Sequence, residues 1–526
     1  MTQAPAKRGM EYKWIVMLIV MIGMVMSALD ASIVNVSIPK IMADFGSNIT
    51  DIEWVLTAYM LAYAVLMPLT AWARDRIGHK ILFTLSLVVF TLGSILCGFA
   101  VNLPTLIAAR VLQALGGGAM VPTGMAMVAE VFDPKERGSA MGYFGLAFIV
   151  GPAFGPTLGG WLTEAFGWRS IFLVNLPIGI IGILMALELL VNDRPHGDKH
   201  RPFDFLGFLL LSVFLITFLL GVSRGETEGW TSRYILTCLA LSVFSFVAFL
   251  VTESLVKDKI MDLGLFRYAV FSVSMLLTAI RSVALFGSIF LLPLFLQQLM
   301  GFSAVQSGLI LLPGSLMVAV CLPFVGRLIN HSSPRFLAVV GIILLGLSIY
   351  PYGSISIYNS AWDIIWPSLI RGVGLAFLFA PISTLAINAV PRQKAGMASS
   401  MMSIIQQVGG AVGIAILSTV LDNRIKFHMS TVGPTLDSSS PAFQTALHSL
   451  AYRAHDLGLG LANSFSAAQG ALMQRVYIAQ SSFGFQDAFL FALMMVVLSL
   501  IPTFLLPNHN VIHKEDPDLE PPVLLD

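Results

Sequence analysis

Residues 14–38 read WIVMLIVMIGMVMSALDASIVNVSI, an apolar run that contains a single carboxylate, Asp30. About 20 apolar residues are enough for a helix to cross the hydrocarbon core of a bilayer. We therefore predict a membrane-spanning helix, since a helix satisfies its own backbone hydrogen bonds in lipid. An ionisable group at this depth is costly, so Asp30 is a candidate functional residue.

The same pattern recurs along the whole chain. Of the 526 residues, 56% are hydrophobic and 11% are charged, whereas soluble domains carry about 25% charged residues. We predict an all-α membrane protein with fourteen transmembrane helices. The predicted spans cover residues 14–38, 52–73, 81–101, 104–128, 138–162, 169–191, 205–223, 234–254, 269–299, 305–328, 336–357, 363–386, 396–421 and 485–507.

The distribution of Lys and Arg predicts the orientation. With the N-terminus inside, the cytoplasmic segments carry 19 of the 30 basic residues and the outer segments carry 8, four of them in the long loop 422–484. The other three, Arg110, Arg281 and Arg371, lie within predicted spans. Because cytoplasmic loops are enriched in Lys and Arg, both termini are predicted to be cytoplasmic. A bacterial inner membrane is the expected location.

An internal repeat divides the chain. Residues 68–82 (PLTAWARDRIGHKIL) align with 323–337 (PFVGRLINHSSPRFL) at an offset of 255, and the starts of the first and ninth spans differ by the same offset. Parallel repeats build a large class of secondary transporters, with the substrate site between the halves. The predicted domains are an N-tail (1–13), a six-helix bundle (14–191), a linker with two inserted helices (192–268), a six-helix bundle with the outer loop 422–484 (269–507) and a C-tail (508–526).

Several function classes are excluded by composition and motifs. A net charge of +1 gives no nucleic-acid signature. The three cysteines lie in apolar segments without metal-ligand spacing, so neither a metal site nor a cofactor is expected. No glycine-rich nucleotide loop and no nucleophile constellation is present, which argues against an ATP-driven pump and against an enzyme. A channel would not need the repeat. The expected partners are a small-molecule substrate, protons and the lipid bilayer.

Two of the intramembrane charges, Asp30 and Arg110, lie at a similar predicted depth in the bilayer. Asp30 lies about eight residues, roughly 12 Å, before the outer end of span 1, and Arg110 about six residues, roughly 9 Å, after the outer start of span 4. Buried charges in bundles face inward and pair, so we expect both side chains to face the central cavity. Burial and a neighbouring cation shift the proton affinity of a carboxylate in opposite directions. The pair is thus a candidate proton-coupling site, with a purely structural polar contact as the alternative.

Three segments resemble, in order, motifs of the major facilitator superfamily. AWARDRIGHK (71–80) resembles the loop signature between the second and third spans, RVLQALGGG (110–118) a fourth-span motif, and GPAFGPTLGG (151–160) the fifth-span motif associated with antiporters. LDASIVNVSIP (29–39) and WRSIFLVNLPIG (168–179) are similar to the fourteen-span drug:proton antiporter branch of the EmrB/QacA type. The resemblance covers nearly the whole chain and implies a proton-coupled exporter.

The resemblance also implies gating residues, and each has a simpler alternative. The candidates are Asp75, Arg76, Gly78 and Lys80 in the loop, Arg137 nearby, and Gly151, Pro152, Gly155 and Pro156 in the fifth span. The loop is expected to latch the halves on the cytoplasmic side, where Asp75 could pair with Arg137 or cap a helix N-terminus; ordinary positive-inside anchoring is the alternative. The small residues are expected to form a packing seam that parts during transport, or simply to let helices approach closely.

Candidate cavity residues complete the site. Apolar substrates need aromatic and apolar walls with a few polar groups. The candidates are Trp54, Tyr59, Tyr63, Gln113, Arg281 and Arg371. Arg281 could recognise an anionic substrate group or bind backbone carbonyls at a helix break. Where the branch often carries Arg before its span-13 glycines, this chain has Gln406 in QQVGG (406–410).

The predicted function is export of amphipathic drugs or toxic compounds in exchange for protons. Export of one metabolite, siderophore or antibiotic is the alternative within transport. The outer loop has helical character over 441–478. It could dock a periplasmic adaptor protein, as in relatives with a similar loop, or lie on the membrane interface as a surface cap.

Overall fold

The computed structural model describes residues 11–134, 136–192, 203–256, 259–329, 331–432, 440–456 and 461–509. All regular secondary structure in these ranges is helical. The α-helices are α1 Tyr12–Phe45, α2 Ile49–Ile52, α3 Trp54–Leu66, α4 Leu69–Ile77, α5 His79–Gly98, α6 Leu103–Val131, α7 Arg137–Phe166, α8 Ser170–Leu173, α9 Asn175–Leu189, α10 Phe205–Glu228, α11 Arg233–Leu255, α12 Ala269–Gln298, α13 Ala304–Leu328, α14 Pro334–Ile349, α15 Ala361–Asn388, α16 Ala395–Val432, α17 Pro441–Asp456, α18 Leu461–Leu498 and α19 Leu500–Thr503.

The span count is close to the predicted one. Twelve stretches of the described helices are long and apolar enough to cross a membrane, and the pair α3–α4, bent by 53°, makes a thirteenth. The bend falls at Pro68, which has no N–H to continue the hydrogen-bond ladder. The fifth predicted span coincides with α7, a helix of 30 residues outside that count. The all-helical membrane class is therefore established, and the count of fourteen stays a prediction.

Helix starts and turns follow local sequence signals. Asn102 caps α6 through a reciprocal pair with Thr105, and Ser303 caps α13 through the same pair with Gln306. Gly78 joins α4 to α5 with φ +81°, a conformation that side chains with a Cβ rarely adopt. The motif glycine of the loop thus has a backbone role.

The helices pack in two groups with an added pair. In the N-terminal helices (12–189), α1 packs on α7, and α5 and α3 pack on α6. In the C-terminal helices (269–503), α13 and α14 pack on α15, and α12 and α18 pack on α16. Helices α10 and α11 pack on each other, with α10 also against α3 and α16. The groups meet mainly where α7 packs on α13 and α6 on α16.

The two ends of the bundle differ. We call the end where α1 begins, predicted to be cytoplasmic, the inner end, and the opposite end the outer end. One apolar core joins the two groups towards the inner end, with Phe132 and Phe144 from one and Leu322, Ile329 and Met401 from the other. Besides it, the N-terminal helices have a core of their own towards the outer end, and the C-terminal helices have one that runs from Leu385 near the inner end to Leu296 near the outer end. The conformation is therefore closed at the inner end.

The predicted outer loop 422–484 is largely helical where the structure describes it. α16 continues to Val432 and α18 begins at Leu461, so both helices run well past the predicted span ends. At 38 residues each, they are roughly 57 Å long, compared with about 30 Å of hydrocarbon. The expected stretch 441–478 is helical in its described parts, which are α17 and the start of α18.

Candidate functional site

Asp30 and Arg110 form an ion pair inside the N-terminal helices. The Asp30 side chain on α1 is 0% exposed and the Arg110 side chain on α6 is 1% exposed. Arg110 Nη1 donates to Asp30 Oδ2 over 2.5 Å. The structure thus brings together Asp30 and Arg110, as their similar predicted depths in the bilayer indicate.

Three neutral polar side chains complete a network around Asp30. Gln113 Nε2 donates to Asp30 Oδ1 over 2.7 Å and to Ser94 Oγ over 2.7 Å. Asn175 Nδ2 donates to the same carboxylate oxygen over 3.0 Å. Arg110 Nη1 also donates to Gln113 Oε1 over 2.6 Å. Every partner of Asp30 is a donor, which matches an ionised carboxylate.

Arg110 has further acceptors besides Asp30. Its guanidinium lies over the ring of Tyr59, 3.9 Å from the centroid, and its Nε donates to Val55 O over 3.4 Å. The Tyr63 ring stacks on that of Tyr59 with centroids 5.8 Å apart. The cation is therefore held by an aromatic face, an amide and a backbone carbonyl as well as by the carboxylate.

The expectation that Asp30 and Arg110 face the central cavity is wrong for this conformation. Asp30, Arg110 and Gln113 are fully buried between α1, α3, α5, α6 and α9, and Tyr59 is buried as well. The physical reason is that the network satisfies both charges with internal hydrogen bonds, so neither charge needs water. Tyr63, the predicted cavity residue that stacks on Tyr59, is partly exposed.

Sequence reasoning missed two members of the network. Ser94 lies about seven residues, roughly 10 Å, before the outer end of predicted span 3. Asn175 lies about six residues, roughly 9 Å, after the outer start of predicted span 6. Both are at the depth of Asp30, so the depth comparison that paired Asp30 with Arg110 would have found them if extended to neutral polar residues.

The glycines of α7 divide between two faces. A Cβ on Gly151 would lie 2.1 Å from Ala28 O, and one on Gly155 would lie 2.5 Å from Ser32 Oγ, so this face packs on α1 on either side of Asp30. The side chains of Pro152 and Pro156 lie outside the described part of the chain. The predicted seam is therefore a close contact inside the N-terminal helices.

The other face of α7 meets the C-terminal helices. A Cβ on Gly138 would lie 2.5 Å from Gly326 O, and one on Gly142 would lie 2.5 Å from Leu322 O. A Cβ on Gly145 would lie 2.8 Å from Phe379 Cε1. These glycines allow backbone contact between α7 and α13 at the inner end, where the core is shared.

The inner loop contacts both groups of helices. Asp75 accepts from Arg74, Lys80 Nζ donates to Leu190 O over 2.6 Å, and Arg76 lies over Trp72 with Cζ 5.4 Å from the ring centroid. Arg74, which the sequence analysis did not single out, lies against Gly396 at the start of α16. Arg74 is thus the residue of this loop that reaches the C-terminal helices.

The suggested pairing of Asp75 with Arg137 is wrong. Arg137 is buried at the start of α7 and donates from Nη1 to Asn388 Oδ1 over 2.8 Å and from Nε to Phe132 O over 3.3 Å. Asp75 is instead neutralised by the adjacent Arg74. Because Asn388 ends α15, Arg137 connects the two groups of helices at the inner end.

The remaining candidates lie apart from the ion pair. Trp54 packs beside α10, with Arg224 Cζ 5.0 Å from its ring centroid, so it faces the inserted helices. Arg281 and Arg371 are 4% and 8% exposed. Arg281 Nη2 lies 3.5 Å from Gln406 Oε1 and its Cζ lies 4.8 Å from the centroid of Phe379. Among the described residues, Arg371 Nη1 has no hydrogen-bond partner.

Comparisons with known proteins agree with this architecture. The model of the Major Facilitator Superfamily matches residues 20–414. The Multidrug resistance protein B homolog of Mycobacterium tuberculosis is 33% identical over 515 residues, covering 94% of this chain and 90% of the relative. The Multidrug export protein EmrB of Escherichia coli K12 is 29% identical over 423 residues, 80% and 82% of the two chains.

A solved structure has the same fold. The human organic anion transporter MFSD10 superposes with a TM-score of 0.61 at 15% identity, covering 96% of this chain and 100% of the other. At that identity the likeness concerns the fold alone. Together with the family match over most of the length, it accounts for the helix packing described above. The chain belongs to the Major Facilitator Superfamily, and it is a transporter and not an enzyme.

Proposed function

We propose that this transporter exports amphipathic drugs or toxic compounds in exchange for protons, by alternating access. The observation that carries the proposal is the buried carboxylate Asp30, held by donors only and paired with Arg110. An ionisable side chain at this depth in the membrane is costly, which makes it a candidate functional site by default. The two named relatives are multidrug proteins, which supports export as the direction and drugs as the substrate class.

Protonation of Asp30 would remove the ion pair without removing every partner of Arg110. The guanidinium would keep the Tyr59 ring, Val55 O and Gln113 Oε1, all already in contact. The network therefore has two arrangements, one with an ionised carboxylate and one with a neutral acid. A proton that enters from outside and leaves inside would move the network between them, as population shift requires.

Helix α7 would couple this change to the opening of the inner end. Gly151 and Gly155 hold α7 against α1 beside Asp30, and Gly138 and Gly142 hold the same helix against α13. A shift of α1 on protonation would therefore move the contact that closes the inner end. A coupling path needs an element with two arrangements that both sites bias, and α7 is the element we assign to this role.

The number of spans and the orientation of the chain in the membrane are part of the proposal. We propose fourteen spans, with α7 as the fifth, in two six-helix bundles (14–191 and 269–507) joined by 192–268. The short tails 1–13 and 508–526 are on the cytoplasmic side of a bacterial inner membrane. The excess of Lys and Arg in the inner segments supports this orientation.

The outer segment 422–484 is proposed as a docking site for a periplasmic adaptor protein. Its described helices extend beyond the predicted spans and expose Tyr452, Phe465 and Tyr477. Exposed aromatic side chains favour protein contact. The alternative is that the same side chains lie on the membrane surface as a cap. Capture of an adaptor by the full chain, but not by a chain that lacks residues 440–456, would support docking.

A second candidate is proton-coupled export of one specific metabolite, siderophore or antibiotic. The observation that favours it is Arg281, a buried cation without a carboxylate partner among the described residues. A drug exporter of broad range needs apolar walls, whereas a fixed buried charge selects one kind of group.

The test uses purified protein in proteoliposomes with an imposed pH gradient. We measure the movement of a cationic dye, ethidium, and an anionic dye, fluorescein, with and without an uncoupler. Transport of either dye that depends on the gradient and stops with the uncoupler supports the proposal. If neither dye moves, or if movement follows ATP and ignores the uncoupler, a proton-coupled drug exporter is ruled out.

A further inference from the structure

Arg281 carries a buried positive charge that no carboxylate among the described residues neutralises. It lies on α12 about twelve residues, roughly 18 Å, from the inner end. Its Nε is buried without a hydrogen-bond partner among the described residues, and its Nη2 donates to Gln406 Oε1 over a long distance of 3.5 Å. An unpaired buried charge is strongly destabilising, so the position calls for an anion that the described chain does not supply.

The surroundings of Arg281 combine one charge with apolar walls. The guanidinium lies on the Phe379 ring, and Leu277, Ile280 and Leu378 line a small cavity beside it. Gln406 is half-buried and offers an amide next to the cation. A charged group with a planar donor fork, an amide and apolar side chains suits a carboxylate carried on an apolar body.

The site also adjoins the interface between the two groups of helices. Phe379, which lies on Arg281, meets Gly145 of α7 on the opposite side of the interface between the two groups of helices. An anion on Arg281 would therefore bind next to the helix that we propose couples Asp30 to the inner end. A group bound here is well placed to sense, or to bias, the closure of that end.

We propose that Arg281, with Gln406 and Phe379, binds the anionic group of the transported compound, so that the substrates are amphipathic organic anions. The inference rests on the proposed function and adds the charge class of the substrate. A second buried cation, Arg371, lies in the same group of helices, and its Nη1 has no hydrogen-bond partner among the described residues. Two buried positive charges disfavour a cationic substrate in this half and favour an anionic one.

The binding test needs no transport. We measure the anisotropy of fluorescein with purified wild type and with Arg281→Gln, Arg281→Lys and the matched control Arg453→Gln on exposed α17. Arg281→Gln is expected to weaken fluorescein binding by at least about tenfold, or about 1.4 kcal/mol. Arg281→Lys, which keeps the charge, is expected to retain part of the affinity, and the control all of it. Unchanged affinity in Arg281→Gln overturns the proposal.

Competition for fluorescein binding on the wild-type protein tests the proposal even if Arg281→Gln does not fold. Benzoate should displace fluorescein at constant ionic strength, and benzylamine, the matched cation, should not. Equal competition by both would contradict the anionic class. Gradient-driven transport of ethidium but not of fluorescein would leave the proposed function standing and remove this inference alone.

A lipid headgroup could supply the same anionic chemistry. Fluorescein binding is therefore compared in nanodiscs of phosphatidylcholine alone and of phosphatidylcholine with phosphatidylglycerol. We expect the same affinity in both. If phosphatidylglycerol abolishes binding to wild type, the occupant of Arg281 is a lipid and the substrate assignment is wrong.

Discussion

The buried carboxylate of Asp30 in the first helix is stabilised by donors from two other helices, α6 and α9. Asp30 accepts from Arg110 on α6, Gln113 on α6 and Asn175 on α9, while Ser94 on α5 bonds to both amides. Hydrogen bonds to a charged group contribute about 1.5–3 kcal/mol each, more than neutral ones. The network therefore stabilises a charge that would be costly without these partners.

Replacing Asp30 should separate coupling from folding. Asp30→Asn is expected to abolish transport driven by the pH gradient, because the amide cannot take up a proton. It also leaves Arg110 unpaired, which costs about 3–5 kcal/mol when a buried partner is lost. The measurements are dye transport in proteoliposomes and thermal unfolding.

The double variant Asp30→Asn/Arg110→Gln is the control for that cost. It should unfold at a higher temperature than Asp30→Asn and remain uncoupled. Full gradient-driven transport by Asp30→Asn would refute the assignment of Asp30 as the proton site.

At the inner end, several hydrogen bonds join the two groups of helices, among them those of Asn388 with Arg137 and Pro134 and that of Ser400 with Met67 O. Asn388→Ala removes the acceptor of Arg137 Nη1 and should weaken inner closure by about 1.5–3 kcal/mol. The inner-open population should rise on the order of ten- to hundredfold. The measurement is maleimide labelling of Ala398→Cys, a buried inner position, in a chain without the native cysteines.

Asn359→Ala, at the outer end of α15, is the matched control and should leave labelling unchanged. Equal labelling rates in Asn388→Ala and wild type would mean that the Arg137 contact does not hold the inner end closed.

At the scale of elements, α7 carries glycine on two faces. Gly151 and Gly155 allow α1 to approach, and Gly138 and Gly142 allow α13 to approach. Without a hydrophobic force between helices in lipid, such small residues determine how closely backbones pack. The same helix can therefore contact the proposed proton site and the closed inner end.

Adding one methyl group at the α7–α13 contact should open the inner end. In Gly138→Ala the new Cβ would meet Gly326 O, a backbone atom that cannot rotate away. Overpacking costs typically about 1–3 kcal/mol, and separation of the two helices relieves it. The distance between spin labels at Asp133 and Gln393, both exposed at the inner end, should increase.

Gly470→Ala is the control, since a Cβ there has nothing within 4 Å. A Gly138→Ala protein with the wild-type label distance and wild-type transport would show that the close contact is not required for closure.

The elements differ in how far the sequence predicts them. Long apolar runs predict spans because length and hydropathy alone decide them, and the few intramembrane charges could be paired by depth. Neutral polar residues such as Ser94 and Asn175 are common in spans, so a comparison of depths would place them among many candidates, and only the packing of neighbouring helices selects them. The partner of Arg137 depends on the packing of α7 on the C-terminal helices, which no local pattern encodes.

On the scale of the whole molecule, the core distribution defines one of two states. A shared apolar core closes the inner end, and each group also has a core of its own. Asp30 in this state has donors only, which matches the ionised acid. In an exchanger that takes up protons from outside, protonation should therefore favour the opposite state, with the inner end open.

Two pairs of spin labels can follow both ends at once. The inner pair is Asp133 and Gln393, and the outer pair is Asn48 and Ser303, all at exposed positions. When the pH is lowered, the inner distance should lengthen and the outer distance should shorten together, because rigid groups that pivot about a common contact open one end by closing the other. In Asp30→Asn, which is neutral at every pH, both distances should stay at their low-pH values. A wild type that ignores pH, or an Asp30→Asn protein that still responds to it, would place the proton switch elsewhere in the molecule.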